Sequence, residues 1–176
     1  MRYLTLPGWH GSGPQHWQTL WEQQPGFRRV QQHDWEQPLR GDWMMQLEEQ
    51  LLQSDEPVVL VAHSLGCWLV AAWAGHSQNV ARVRAALLVA PPDLQQQPIP
   101  QLHSWKGSDT QRLPFASLLL ASSNDPFCTL ARSRELARQW GCQWQDVGAL
   151  GHVNADSGLG DWPQGRLLLR EWVAAA

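Results

Sequence analysis

The chain alternates continuous apolar runs with stretches whose apolar residues recur at helical spacing. Residues 57–62 (Pro-Val-Val-Leu-Val-Ala), 85–90 (Ala-Ala-Leu-Leu-Val-Ala) and 116–121 (Ala-Ser-Leu-Leu-Leu-Ala) are of the first kind. A half-solvated strand alternates apolar and polar positions, so these near-continuous runs predict strands buried on both faces. Residues 2–6 predict a short first strand stopped by Pro7-Gly8, residues 142–147 another, and residues 28–33 a weaker one with partial alternation. Helical spacing marks residues 14–24, where Pro14 suits a first turn and Trp17, Leu20, Trp21 and Gln24 fall on one face. It also marks residues 42–54, with Asp42 as N-cap and Trp43, Leu47 and Leu51 aligned. Further helices are predicted over residues 65–74, ended by Gly75, and residues 129–140, closed by Gly141. The last spans residues 162–174, with Asp161 as N-cap and Pro163 in its first turn. Residues 93–115 are polar, rich in Gln and Pro, and without period. An irregular segment of that length points to a role near a site.

Doubly buried strands alternating with helices need helices on both faces. The expected fold is therefore an α/β three-layer α/β/α sandwich around about six mostly parallel strands. Ligands bind such sheets at the carboxyl ends of the strands, so chemistry is sought in the loops there. No repeat or linker divides the sequence, and residues 1–176 read as a single domain long enough for one core.

Charge then narrows the function classes. Thirteen Lys and Arg stand against sixteen Asp and Glu, a net charge of -3 with no basic patch, which removes nucleic acid from the expected partners. No apolar run approaches the ~18 residues of a membrane span. The start of the chain carries one positive charge and too short an apolar stretch for a signal peptide. The expectation is a cytoplasmic protein with no membrane association. Cys67, Cys128 and Cys142 are odd in number and lack paired spacing, so they are read as small buried hydrophobes rather than disulfides or zinc ligands. The twelve tryptophans are read chiefly as packing residues, with one or two left to line a pocket.

The sharpest chemical signal is Ala62-His63-Ser64-Leu65-Gly66, where a buried strand gives way to a helix. A serine on such a tight turn has its hydroxyl lifted above the sheet edge, and small residues two before and two after let strand and helix pass closely. Ala62 replaces the usual first glycine and is still small. The Leu65 N–H, at a helix N-terminus, suits a developing oxyanion. The plainer reading is a serine that only caps a helix.

A serine nucleophile needs a base, and the base an orienting acid. Asp125 follows strand 116–121 and His152 follows strand 142–147, both on the edge that carries Ser64. Asp93 also follows a strand and is the alternative acid, though it reads better as a turn residue after Pro91-Pro92. His63 is expected to pack or hydrogen-bond beneath the turn. The remaining histidines show no metal-binding spacing, and the proposed chemistry calls for neither metal nor cofactor.

Pro7-Gly8-Trp9-His10-Gly11-Ser12-Gly13 follows the first strand. Gly8 and Gly13 have phosphate-loop spacing, but Pro14-Gln15 stands where Lys-Ser/Thr would be, so nucleotide binding is rejected. The loop is instead placed to supply a second oxyanion N–H, from Trp9 first and His10 next. Trp9, His10, Leu94, Trp105 and Phe127 are the candidates for the substrate-binding wall.

With these residues in place the sequence resembles the compact serine hydrolases related to retinoblastoma-binding protein 9. The resemblance rests on Pro7-Gly8-Trp9-His10-Gly11-Ser12 with His16-Trp17, on His63-Ser64-Leu65-Gly66, and on Asn124-Asp125-Pro126-Phe127. It rests most of all on the tail from Gly151-His152-Val153-Asn154 to Gly160-Asp161-Trp162-Pro163. It implies a reduced α/β-hydrolase of six parallel strands with no large cap domain, and a triad of Ser64, Asp125 and His152. The expected function is hydrolysis of a small-molecule carboxylic ester, or an amide or thioester, through an acyl-enzyme. The alternative is a weakly catalytic or non-catalytic protein of the same fold that works by binding a protein partner.

Overall fold

The computed structural model describes residues 1–96, 99–107 and 111–176. Six strands form one sheet: β1 (Arg2–Leu6), β2 (Phe27–Arg29), β3 (Val58–His63), β4 (Val83–Val89), β5 (Ala116–Ala121) and β6 (Gln143–Asp146). They lie in the order β2-β1-β3-β4-β5-β6, and every neighbouring pair is parallel. This is the expected architecture, and no cap domain stands over the sheet edge among the described residues.

β3 shows why a continuous apolar run is required. Its alternate side chains enter two different cores. Leu60 and Ala62 pack with Trp43, Leu47, Trp68 and Trp140, from α2 (Arg40–Leu52), α3 (Leu65–Ala74) and α4 (Leu130–Trp140). Val59 and Val61 pack with Trp17, Trp21 and Leu169, from α1 (Trp17–Trp21) and α5 (Pro163–Ala175), and with Trp162. All six β3 residues are buried, and each large aliphatic side chain so placed contributes on the order of 1.5–3 kcal/mol. Most tryptophans do pack: seven of the twelve are among the largest fully buried side chains.

Several boundaries differ from expectation. The first helix spans only Trp17–Trp21, because the His16 ring accepts the Gln18 N–H and sets the start there. The weak strand shrinks to Phe27–Arg29, the length that pairs with β1 on the sheet edge. α2 begins at Arg40, two residues before its expected cap, so Asp42 lies inside its first turn, where a carboxylate favours the positive helix end. Trp162, not Asp161, holds the cap position of α5, at a φ of 43°, with its ring buried against the Trp17–Trp21 pair. Asp161 pairs with Arg166 instead. Part of residues 93–115 is ordered as a 3₁₀ turn, Pro100–Trp105, and residues 97, 98 and 108–110 of that segment lie outside the described residues.

Candidate active site

The site is built at the carboxyl edge of the sheet, from the loops after β1, β3, β5 and β6. Ser64 joins β3 to α3 with φ 55° and ψ −123°, a strained conformation for a residue with a side chain. Its N–H is tied to the Val89 carbonyl at 2.9 Å, which registers the turn against β4. The turn is possible because two neighbours lack side chains. A Cβ on Gly66 would come within 2.0 Å of the Leu6 carbonyl oxygen, and one on Gly8 within 2.8 Å of the Ser64 Cβ.

The three residues expected to act together are brought together. Ser64 Oγ lies 2.8 Å from His152 Nε2, and His152 Nδ1 lies 2.9 and 3.0 Å from the two Asp125 carboxylate oxygens. A carboxylate only accepts, so Nδ1 carries the proton and Nε2 presents its lone pair to the serine hydroxyl. The Asp125 side chain is 2% exposed, and one of its oxygens also accepts the Phe127 N–H at 2.9 Å. Burial in this setting fixes the carboxylate in one orientation toward the ring.

The loop of His152 is held on several sides. Gly151 N–H donates to Asn124 Oδ1 at 2.7 Å, Leu150 N–H to Ser122 Oγ at 2.9 Å, and Ser157 Oγ–H to the Leu150 carbonyl at 2.6 Å. The His63 ring donates from Nε2 to the His152 carbonyl at 2.9 Å. Burial pushes the His63 ring well below the ordinary histidine range, with His16 and His152 nearby adding to the effect. His16 is lowered to about 4, first by burial, then by the Arg29 charge and by the neighbouring His152. Both rings therefore stand neutral next to His152. His16 Nδ1 accepts the Gln18 N–H, which leaves its Nε2 with no partner among the described residues.

The backbone N–H groups of Leu65 and Trp9 donate to nothing among the described residues, and both residues line the cavity that contains Ser64. They are the available donors for an oxyanion. The Trp9 loop is tied down from outside: the Trp9 indole donates to the Glu36 carbonyl at 3.0 Å, and the stacked His10 ring pairs with the Glu36 carboxylate at 2.9 Å.

The cavity is about 360 Å³, at the small end of the ~300–1,000 Å³ usual for ligand sites. Trp9, Leu65, Pro92, Ile99, Leu102 and Phe127 supply its apolar wall, and no Lys, Arg, Asp or Glu lines it among the described residues. Of the expected wall residues, Trp9, His10 and Phe127 are in place. Leu94 and Trp105 are not. Leu94 is buried in the core, and Trp105 is turned inward to donate to the Pro38 carbonyl at 2.6 Å and to pack edge-on against Trp43. The 3₁₀ turn that buries Trp105 presents Leu102 to the cavity instead. Sequence reasoning missed Pro92, Ile99, Leu102, His16 and Asn154 as lining residues. His16 and Asn154 lay within the motifs of the resemblance, whereas the other three carry no signal short of the fold. Among the described residues, no group of three His, Cys, Asp or Glu is placed to hold a metal ion.

Comparison with known proteins bears on this geometry. A family model described as "Serine hydrolase" matches residues 3–171. Among solved structures, a YdeN-like hydrolase of Pectobacterium atrosepticum superposes with a TM-score of 0.86 at 28% identity, over 99% of this chain and 91% of that one. The ydeN gene product of Bacillus subtilis superposes with a TM-score of 0.76 at 21% identity, over 98% of both chains. Est1E of Butyrivibrio proteoclasticus, solved with ferulic acid, shares the fold with a TM-score of 0.67 at 11% identity, over 98% of this chain and 89% of that one. No curated protein sequence matches the chain significantly.

Proposed function

We propose, from the premise that the chain belongs to the serine hydrolase family, that it hydrolyses small uncharged carboxylic esters through an acyl-enzyme on Ser64. The observation that carries this reading is the unbroken hydrogen-bonded chain from Ser64 Oγ through His152 to the buried Asp125. His152 takes the serine proton as Ser64 Oγ attacks the carbonyl carbon. Asp125 holds the Nδ1–H tautomer and stabilises the imidazolium that forms. The tetrahedral oxyanion accepts from the Leu65 and Trp9 N–H groups, at the positive end of α3. Collapse expels the alcohol, which takes the proton from His152 Nε2. Water then attacks the acyl-enzyme with His152 again as base, releasing the acid and free Ser64.

The cavity supports the substrate class. A volume of about 360 Å³ suits a short acyl group. Walls with no charged side chain among the described residues would leave a substrate carboxylate or phosphate desolvated and unpaired. The same apparatus serves thioesters and amides. A place beside the retinoblastoma-binding protein 9 relatives is supported by the tail motif. A reducing, cytoplasmic compartment fits the three free thiols.

A panel of esters, thioesters and amides of graded acyl length tests the reading. Short uncharged esters are expected to turn over fastest, and Ser64→Ala to lower that rate ~10³-fold or more. No turnover across the panel, or turnover that survives Ser64→Ala, would overturn it. The first outcome would favour a protein that acts by binding a partner.

A further inference from the structure

The turn that carries His152 is held by two side chains that take no part in the proton transfer. Val153 adopts a φ of 50°, an outlier for a β-branched residue, and is fully buried. Such a conformation persists only where its surroundings over-determine it. Here two ring N–H groups do so. His63 Nε2 donates to the His152 carbonyl at 2.9 Å, and Trp17 Nε1 donates to the Val153 carbonyl at 2.8 Å. Fixing two consecutive carbonyls fixes two consecutive peptide planes, and with them the Val153 dihedrals between and the plane that begins at the His152 Cα.

The donors themselves have little freedom. His63 is 5% exposed and Trp17 1% exposed. The His63 ring sits among His16 (centroids 4.7 Å apart), His152 (5.0 Å) and Trp17 (6.1 Å). His63 is also the residue before Ser64. One dipeptide therefore sets the serine through the strained turn and the histidine backbone through a side chain. The 2.8 Å Ser64–His152 distance is referenced to a single rigid step of chain.

We propose that His63 and Trp17 are positioning residues, which hold the strained His152–Val153 turn by its two carbonyls and so keep His152 Nε2 in register with Ser64. The proposal rests on the reading of His152 as the base, but it concerns geometry that is measurable without turnover.

The test uses His63→Leu, His63→Gln and Trp17→Phe in the full chain, with two readouts. The first is kcat and KM on the fastest ester. The second is the ¹H–¹⁵N NMR signal of the His152 Nδ1–H, which is sharp while that proton stays locked on Asp125. His63→Leu is expected to lower kcat by about 10–100-fold, as misplacement by a fraction of an ångström to an ångström does, with KM little changed and the proton signal broadened. His63→Gln, which keeps a donor, is expected to recover most of both. Trp17→Phe removes the N–H together with the five-membered half of the buried indole, and it reports loss of the second carbonyl contact should His63→Leu fail to fold. Wild-type kcat and a sharp signal in His63→Leu and Trp17→Phe would overturn the proposal. So would a loss carried by KM, or His63→Gln as impaired as His63→Leu. If no protein turns over ester yet the signal responds to the substitutions as described, the positioning stands and the hydrolase reading falls.

Discussion

Asp93 and Asp125 occupy matching places in two adjacent turns. Each lies four residues beyond the end of its strand, β4 for Asp93 and β5 for Asp125. Their side chains are 5% and 2% exposed. The turns are even joined, since the Asp93 N–H donates to the Phe127 carbonyl at 2.8 Å. The partners differ. Asp93 accepts from the Arg132 guanidinium at 3.3 Å and from the Gln95 N–H at 3.1 Å. Asp125 faces the His152 ring. An arginine is always charged, so the Asp93 pair has one state and serves the fold. An imidazole gains and loses its charge, so the Asp125 pair has two states and, in the proposed mechanism, serves the reaction. Position along the sheet edge selects both carboxylates; only the partner separates them.

The comparison breaks most sharply at Asp125. In the proposed mechanism Asp125→Asn leaves the geometry in place and offers the wrong tautomer, so kcat is expected to fall ~10⁴-fold. Stability in urea should change little beside that. Asp93→Asn is expected to do the reverse. It removes the buried carboxylate from Arg132, which keeps its contact with Glu135 at 3.3 Å, at a cost of about 1.5–3 kcal/mol in unfolding free energy. kcat per folded molecule, counted by active-site titration, should stay within a few-fold. Exchanged outcomes would make Asp93 the acid and Asp125 the structural residue.

His16 sharpens the contrast with a smaller effect, because it is a buried titratable group whose folded state tolerates only the neutral form. Unfolded, its ring binds a proton near 6.5; folded, at about 4. Between those values the unfolded chain holds the extra proton, so stability declines as pH falls from 6.5 toward 4. The full decline is about 3 kcal/mol for this ring, and His63 adds in the same direction. His16→Asn keeps an N-cap acceptor and removes the titration. Urea melts across that pH range are expected to show a shallower acid decline in the variant. An unchanged slope would mean that the folded ring accepts a proton freely.

The three central strands and the order of elements were legible because burial on both faces leaves a run of apolar residues that nothing else in a sheet of this kind produces. Edges were less so. β2 and β6 are short and half-solvated, and their lengths are set by what the neighbouring strand offers to pair with. Ser64, Asp125 and His152 were legible as residues because each follows a recognisable strand, yet their mutual distances come from the twist and register of the sheet. Leu94 and Trp105 were misread for a definite reason. The segment after β4 has no period, so nothing in it reveals that Leu94 enters the core or that a 3₁₀ turn buries Trp105 against Trp43 and brings Leu102 to the cavity wall. His63 was expected beneath the turn, but that its Nε2 reaches the carbonyl of the residue expected as base depends on a contact spanning 89 positions of sequence.

The central claim is that Ser64 is an activated nucleophile. It is tested most directly by incubating the folded protein with a fluorophosphonate probe and mapping the adduct by peptide mass spectrometry. The expected result is one covalent adduct on Ser64, absent in Ser64→Ala and strongly slowed in Asp125→Asn. Folded wild-type protein that takes no label at Ser64, or takes it equally well in Asp125→Asn, would contradict the account.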